Sequence, residues 1–183
     1  EITGTPEVIA KGQGGLLDIA LHPKFAQNGW VYMSYSKFKI DGSTTMTSTG
    51  IVRGKIKNNM WVESQELFES LPYTKTFQHF GSRITFDKKG YMFFSVGERG
   101  MEKVFPQETD NDNGKIHRLN DDGTVPKDNP FVNRVGVKPE KFTLGNRNVQ
   151  GVGVHPKTGE VWTHEHGPQG GDEINIIKPA RNY

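Results

Sequence analysis

The chain has 183 residues with 22 glycines, 10 prolines and no cysteine, and 33% of its residues are hydrophobic. Glycine and proline break helix interiors, which argues against a helical bundle, and the lack of cysteine excludes thiol catalysis, disulfides and Cys-ligated zinc. The net charge is +2 without a basic stripe, which gives no case for nucleic-acid binding, and no apolar run approaches the roughly 18 residues of a membrane span.

The first predicted element is a β-hairpin over residues 19–35. An apolar strand runs into a polar turn that ends at Gly29, and a second strand of aromatic and β-branched residues follows. Residues 36–50 are polar and poor in periodic apolar positions, which indicates a loop. An outer strand is predicted at 50–56, with a partner at 61–62.

The same unit recurs twice further along the chain, at residues 84–95 and 152–163. Between these units we expect a second loop at 101–114, an outer strand at 114–119 and a turn at 120–123. His22, Asp87 and His155 hold the same place in the three units and are separated by 65 and 68 positions. This regular spacing indicates a repeat architecture.

The repeat predicts an all-β fold, namely a partial β-propeller domain over residues 1–183. Propeller blades are four-stranded sheets of usually about 40–50 residues, so the extra length is assigned to loops between strands. At the observed period, 183 residues make fewer than three blades, whereas a closed ring needs at least about four. The alternative is one irregular β-sandwich whose hairpins look alike by chance.

Candidate catalytic groups flank the second hairpin. His79 precedes its first strand and Glu98 follows its second, so the hairpin returns both residues to one end. Histidine suits a general base because its ordinary pKa is about 6.5, and a carboxylate partner fixes its tautomer and raises its basicity. A structural histidine that is hydrogen-bonded in a loop is the alternative.

A run of polar side chains opens the third hairpin. Arg147 offers a fixed cation whose fork geometry suits carboxylates and oxyanions. Asn148 and Gln150 can both donate and accept hydrogen bonds. A turn with a surface arginine is the alternative for this segment.

Ionisable residues crowd the glycine-rich segment 163–175 that follows the third hairpin. Carboxylates together with main-chain carbonyls are the ligands that calcium selects. The His164-x-His166 pair suggests zinc instead, but no third ligand with recognised spacing follows it. Asp110–Gly114 has the composition of a calcium loop with its glycine one position early, and we interpret it as a polar turn.

The termini and the missing cysteines bear on localisation. A chain without cysteine fits a periplasmic or secreted protein at least as well as a cytosolic one. The chain begins at Glu1 without Met or a signal peptide, as the mature form of an exported protein or an arbitrary cut would. Its end at Tyr183 has the character of a cut through a turn.

Taken in order, these motifs are similar to those of the soluble PQQ-dependent glucose/sorbosone dehydrogenase family, and most to its aldose sugar dehydrogenase branch. The resemblance spans nearly all of the chain. It is carried by residues 12–18 (GQGGLLD), 22–25 (HPKF), 79–83 (HFGSR), 97–100 (GERG), 145–151 (GNRNVQG), 165–168 (EHGP), 171–175 (GDEIN) and 181–183 (RNY).

The resemblance implies a six-bladed propeller with PQQ on its axis, of which this chain would form about half, or about three blades. It implies that His79 is the base that takes the sugar hydroxyl proton and that Glu98 is its acidic partner. Arg147 and Asn148 match residues that hold the quinone oxygens. Gln78 and His166 stand in the cofactor site where glucose-specific members carry Asp and Gln, which questions glucose specificity rather than the chemistry.

The resemblance also implies calcium. Gly167 and Pro168 match the pair whose carbonyls bind the cofactor-side Ca²⁺, and Gln13 and Asp172 match side chains that line the same site. A separate structural calcium is implied by matches to two further ligands, Glu173 and Tyr183.

The expected activity is PQQ-dependent oxidation of aldose sugars to lactones, by hydride transfer from the anomeric carbon to the quinone. Arg147 would stabilise charge on the quinone oxygen, and the electrons would pass to a soluble external acceptor. The remainder of the propeller is expected as part of the same or a separate chain. Two other classes stay open: a calcium-dependent lactonase-type propeller, and a non-catalytic propeller that binds a sugar or a protein.

Overall fold

Ten strands in three antiparallel sheets make up the regular structure, in a computed structural model that describes residues 1–101 and 103–183. Each sheet is a meander in which consecutive strands pair. The first sheet contains β1 (Leu16–Leu21), β2 (Val31–Asp41), β3 (Thr44–Lys57) and β4 (Met60–Glu69). The second contains β5 (Ile84–Phe86), β6 (Met92–Val96) and β7 (Lys115–Leu119), and the third contains β8 (Val149–Val154), β9 (Val161–Glu165) and β10 (Glu173–Ile176).

The three predicted hairpins are confirmed as the pairs β1–β2, β5–β6 and β8–β9. The turn of the first hairpin contains a one-turn helix, α1 (Phe25–Asn28), which ends at Gly29 with a φ of +69°. Glycine adopts this left-handed conformation without the steric cost that a Cβ would bring. The sandwich alternative is wrong, because the strands form three separate sheets rather than two that face each other.

The loop predicted at residues 36–50 is also wrong. This segment continues β2 and β3 as one long hairpin, paired from Tyr35–Gly50 out to Asp41–Thr44. Its polar side chains bond neighbouring main chain: the Thr49 hydroxyl donates to the Phe80 carbonyl over 2.9 Å. Threonine is a good strand former because it is β-branched, so the polarity of this segment was a poor guide to its backbone.

The middle sheet is buried on both faces, which explains why every residue of β6 and β7 is buried. One face packs on the first sheet, and alternate residues pack on the third. The first cluster contains Tyr32, Ile51, Phe68, Ile84, Met92, Phe94, Val96 and Leu119, and the second contains Phe93, Ile116, Phe142, Val149, Val161 and Ile177. Sheets stacked face to face in chain order have the arrangement of propeller blades, and the all-β prediction is confirmed.

The outer faces of this stack carry exposed apolar residues. Ile19 on β1 is 63% exposed and Ile174 on β10 is 75% exposed. Such faces are what a partial propeller leaves open where further blades would pack. Within residues 1–101 and 103–183, no helix has the length and apolar character needed to cross a membrane.

The first strands of the three sheets, β1, β5 and β8, lie next to one another. Because the hairpins are antiparallel, the segments that precede these strands and those that follow β6 and β9 meet at one end of the stack. His22, Asp87 and His155 lie in the hairpin turns at the opposite end. The topology therefore gathers the candidate catalytic and cofactor-binding residues and leaves the repeat markers elsewhere.

Candidate active site

His79 lies in the segment that leads into β5, in a strained main-chain conformation with a φ of +53°. A non-glycine residue in this region costs about 1–3 kcal/mol and persists only where its surroundings hold it. The main-chain N–H of His79 donates to Gln13 Oε1 over 2.8 Å. A Cβ added at Gly97 would lie 2.0 Å from the His79 carbonyl oxygen, so only glycine permits this approach.

The imidazole of His79 pairs with the carboxylate of Glu98. The distance from His79 Nδ1 to Glu98 Oε1 is 2.7 Å, and the Glu98 side chain is completely buried. The other carboxylate oxygen accepts the N–H of Gly100. Because the carboxylate occupies Nδ1, the neutral ring carries its proton there and Nε2 is the basic nitrogen.

Arg147 contacts this pair from the segment that leads into β8. Its Nε lies 3.8 Å from Glu98 Oε1, and its Nη1 donates to the carbonyl oxygen of His166 over 3.1 Å. The Glu98 N–H donates to the Arg147 carbonyl over 2.8 Å, which fixes the two segments together. The three residues predicted as catalytic are thus in one cluster.

Glu165 is a supporting residue that the sequence reasoning did not single out. It is buried at the end of β9 and accepts the N–H groups of Arg147 (2.5 Å) and Asn148 (3.1 Å) and the side-chain amide of Asn146 (3.1 Å). Burial raises the pKa of Glu165, and these hydrogen bonds oppose the shift. Its burial could have been predicted from the strand pattern, because Val161, Thr163 and Glu165 are alternate residues that lie on the same face of β9.

A cavity of about 380 Å³ opens beside this cluster and is lined mainly by polar groups. Three of the predicted cofactor-binding residues line it, namely Gln13, Asn148 and His166. Arg83 and Gln150 also line it, and Arg83 Nε donates to the Gln150 carbonyl over 2.8 Å. The cavity is linked to His79 through Gln13, which accepts the His79 N–H, and its amides and guanidinium suit a ligand rich in oxygen atoms.

The four residues predicted to bind two separate calcium ions border one smaller cavity of about 130 Å³, which Gln13 and Asp172 do not line. Gly167, Pro168, Glu173 and Tyr183 all border it, together with Arg147. A Cβ at Gly167 would lie 2.0 Å from the Gly170 carbonyl oxygen and 2.8 Å from that of Gly171. Two main-chain oxygens therefore lie close to Gly167 at this turn, and main-chain oxygens are among the ligands that calcium takes.

The His166 and Asp172 side chains at this turn are mostly exposed. Asp172 accepts the N–H of Gly167 over 3.0 Å and lies 3.5 Å from His166 Nδ1, and these two contacts lower the pKa of Asp172. The Tyr183 hydroxyl donates to the Ile176 carbonyl and accepts the Lys178 N–H, so main-chain groups occupy it as both donor and acceptor. A metal at Tyr183 would use the main-chain carbonyl instead.

Two other metal interpretations lack geometric support. No group of three His, Cys, Asp or Glu side chains converges anywhere in residues 1–101 and 103–183, so His164 and His166 have no third zinc ligand there. In the polar turn at 110–114, oxygen atoms surround a lysine. The buried Lys115 ammonium donates to Asn113 O (2.8 Å), Asn111 Oδ1 (3.2 Å) and Phe105 O.

Gln78, predicted in the cofactor site, is exposed and does not border the polar cavity. Its carbonyl oxygen accepts a hydrogen bond of 2.5 Å from Arg99 Nη1. Arg99 is fully buried next to Glu98, and the sequence reasoning gave it no role. A charged residue in a glycine-flanked turn gives no sequence signal that separates a buried side chain from an exposed one.

A sequence model of the family described as "Glucose / Sorbosone dehydrogenase" matches residues 1–183. Among curated proteins, the chain is 40% identical to aldose sugar dehydrogenase YliI of Escherichia coli, over the whole of this chain and 48% of that protein. The chain thus spans about half the length of this relative, as the partial propeller predicts.

Two solved structures show the same fold. The soluble aldose sugar dehydrogenase from Escherichia coli, in its apo form, superposes with a TM-score of 0.94 at 40% identity, covering 100% of this chain and 52% of that one. The PQQ-bound aldose sugar dehydrogenase from Streptomyces coelicolor superposes with a TM-score of 0.79 at 31% identity, covering 97% of this chain and 50% of that one. The prediction of a partial propeller of this kind is confirmed.

Proposed function

Since the chain belongs to the glucose/sorbosone dehydrogenase family, we propose that it forms about half of a PQQ-dependent enzyme that oxidises aldose sugars to lactones by hydride transfer to the quinone. The observation that carries the proposal is the pairing of His79 with the fully buried Glu98, next to a polar cavity that Gln13 and Phe80 line. It provides an oriented base next to a site for an oxygen-rich cofactor.

The residues present fit PQQ and calcium. The side-chain amide of Asn148 and the Arg147 guanidinium would hold the quinone oxygens of PQQ, and the Gln13 side chain would line the same site. The carbonyls around Gly167 and Pro168 would hold Ca²⁺. When bound, PQQ supplies a two-electron acceptor and calcium a Lewis acid that polarises it.

His79 performs the proton transfer. Its Nε2 takes the proton of the anomeric hydroxyl, while the hydrogen on the anomeric carbon leaves with its electron pair. The sugar loses two electrons and two hydrogens in this step, one as a proton and one as a hydride, and becomes the lactone. Glu98 stabilises the imidazolium that forms, because its buried carboxylate already bonds Nδ1.

Arg147 provides fixed positive charge at the same site. Its guanidinium contacts both Glu98 and the His166 carbonyl, so it is held in place before substrate arrives. A pre-oriented cation stabilises negative charge that develops during the reaction without reorganising. We assign it that role toward the quinone oxygens.

The partners follow from the same proposal. Electrons pass to a soluble external acceptor, and the remaining blades of the propeller complete the cofactor site as part of the same or a separate chain. A periplasmic or secreted location is proposed from the lack of cysteine. The proposal leaves the identity of the aldose open, since Gln78 and His166 differ from the glucose-specific pattern.

The test is reconstitution of the intact protein with PQQ and Ca²⁺, followed by assay of an artificial acceptor dye with several aldoses. We expect dye reduction that requires the sugar, the quinone and the metal together. A protein that shows no sugar-dependent reduction would overturn the proposal. Hydrolysis of a lactone in the absence of PQQ would favour the lactonase class instead.

A further inference from the structure

We infer that Arg99 is a positioning residue that holds the main chain on both sides of His79 in the geometry the base requires. Its catalytic meaning rests on the proposed function, but its effect on His79 can be measured without cofactor or sugar. Arg99 touches neither the polar cavity nor the calcium turn. It acts through the segment that carries His79.

On the N-terminal side of His79, Arg99 bonds three groups that fix the approach of the chain. Its Nη1 donates to Gln78 O over 2.5 Å, and its Nη2 donates to Thr76 O over 3.0 Å and to Thr47 Oγ1 over 2.7 Å. The Thr47 hydroxyl donates in turn to Thr76 O over 2.5 Å. One guanidinium thus links the β2–β3 hairpin to two main-chain carbonyls, those of Thr76 and Gln78, in the segment that carries His79.

On the C-terminal side, the guanidinium stacks on Phe80. Its central carbon lies 3.7 Å from the centroid of the Phe80 ring, and both side chains are buried. The Phe80 carbonyl accepts hydrogen bonds from the Thr49 and Ser82 hydroxyls. The residues immediately before and after His79 are therefore both anchored, one by hydrogen bonds and the other by a cation–π contact.

The positive φ of His79 is a strained conformation that neighbouring residues must stabilise. Residues 97–99 do so together: Gly97 leaves space for the His79 carbonyl, Glu98 bonds the ring, and Arg99 bonds the neighbouring main chain. Arg99 itself has a φ of +62°, so its own conformation is also held against strain. Burial lowers the pKa of Arg99 to about 9, with Glu98 opposing the shift, so the guanidinium is charged at neutral pH.

Lysine cannot replace this residue, because a single ammonium lacks the planar fork that reaches carbonyls in two directions while stacking on a ring. The decisive variant is therefore Arg99→Lys, which keeps the charge. The matched control is Arg118→Lys, since Arg118 is also buried, stacks over Tyr91 at 4.7 Å and bonds the Asn129 side chain at 2.6 Å, away from His79.

Two readouts separate positioning from ordinary structural support. The first is the ¹⁵N spectrum of the His79 ring in the cofactor-free protein, at alkaline pH where an imidazole is neutral. We expect the Nδ1–H tautomer in the native protein and in Arg118→Lys, and a mixture of tautomers in Arg99→Lys. The second is the steady-state rate with PQQ, calcium and an aldose. There kcat should fall about 10- to 100-fold in Arg99→Lys with KM nearly unchanged, as for a displaced catalytic group.

A milder variant covers the case in which Arg99→Lys does not fold. Thr47→Val removes one acceptor of Arg99 while keeping the side-chain volume, and should shift the His79 tautomer in the same direction by less. An unchanged tautomer in both variants, or a fall in kcat no larger than that of Arg118→Lys, would overturn the inference. A shifted tautomer in a protein that oxidises no sugar would sustain the role of Arg99 and reject the proposed function instead.

Discussion

The segment around His79 and the turn at 167–172 are held in opposite ways, although both border the candidate active site. The His79 side chain is 15% exposed and its partner Glu98 is fully buried, whereas the paired side chains His166 and Asp172 are 62% and 67% exposed. The groups proposed to move a proton are already held by contacts within the chain. Oxygen atoms suited to a metal are left accessible, with few contacts of their own.

The largest loss of turnover is expected from replacing His79, in the more buried of these two regions. His79→Ala removes the proposed base, and turnover with an aldose should fall about 10²–10⁴-fold, the range for losing a general base. His155→Ala is the matched control, because His155 lies in a hairpin turn at the far end of the stack. Dye reduction at saturating sugar measures both. Equal rates for the native protein and His79→Ala would remove His79 from the reaction.

A smaller loss is expected from the partner carboxylate. Glu98→Gln keeps an oxygen near His79 Nδ1 but removes the charge that stabilises the imidazolium. Hydrogen bonds to charged groups contribute about 1.5–3 kcal/mol, which corresponds to about a 10- to 150-fold loss in kcat. Glu63→Gln changes an exposed carboxylate paired with Lys55 and Lys57, and should leave kcat unaltered. If Glu98→Gln and Glu63→Gln have the same kcat, the Glu98 carboxylate does not contribute to the rate.

Acid should destabilise the fold through a histidine that lies outside the candidate site. Burial between Phe68 and Phe94 lowers the pKa of His117 to about 3, with Asp112 opposing the shift. The unfolded chain, with a histidine pKa of about 6.5, therefore binds more protons than the folded one between these values. Stability should fall as pH decreases through that window, by up to about 1.4 kcal/mol per pH unit.

Chemical denaturation at several pH values measures this slope. His117→Phe keeps a ring between the two phenylalanines and should flatten the slope between about pH 6.5 and 3. A variant whose slope equals that of the native protein would show that other groups dominate acid unfolding.

The smallest effect is expected from the exposed turn. Asp172→Asn keeps an oxygen that can accept the Gly167 N–H, so the free energy of unfolding without calcium should change by less than about 0.5 kcal/mol. If the turn binds calcium with help from this carboxylate, the rise in melting temperature on adding Ca²⁺ should shrink in the variant. A large loss of stability without calcium would contradict the contrast between the two regions.

Much of the fold was predictable because it depends on local patterns. The three hairpins follow from alternating apolar residues and glycine turns. The shared position of His22, Asp87 and His155 in these hairpins indicated the repeat. The strand at 36–50 was missed because Thr47, Ser48 and Thr49 bond neighbouring main chain. Polar side chains with such partners look like loop residues in the sequence.

The site was predictable only in part, for a related reason. The proximity of His79 and Glu98 follows from hairpin topology, because both flank the same pair of strands. The role of Arg99 depends on burial and on contacts between segments distant along the chain, such as Thr47 with Arg99. Sequence spacing contains no information on such contacts when only one sequence is considered.

We propose that His79 removes the hydroxyl proton as the anomeric hydrogen leaves as hydride. A single-turnover experiment on the intact protein, loaded with PQQ and Ca²⁺, tests this step directly. The absorbance of the bound quinone is followed after mixing with an aldose that carries hydrogen or deuterium at its anomeric carbon. We expect slower reduction with deuterium in the native protein, and reduction at least about 100-fold slower in His79→Ala. Equal rates for the two isotopes, together with an unchanged rate in His79→Ala, would contradict it.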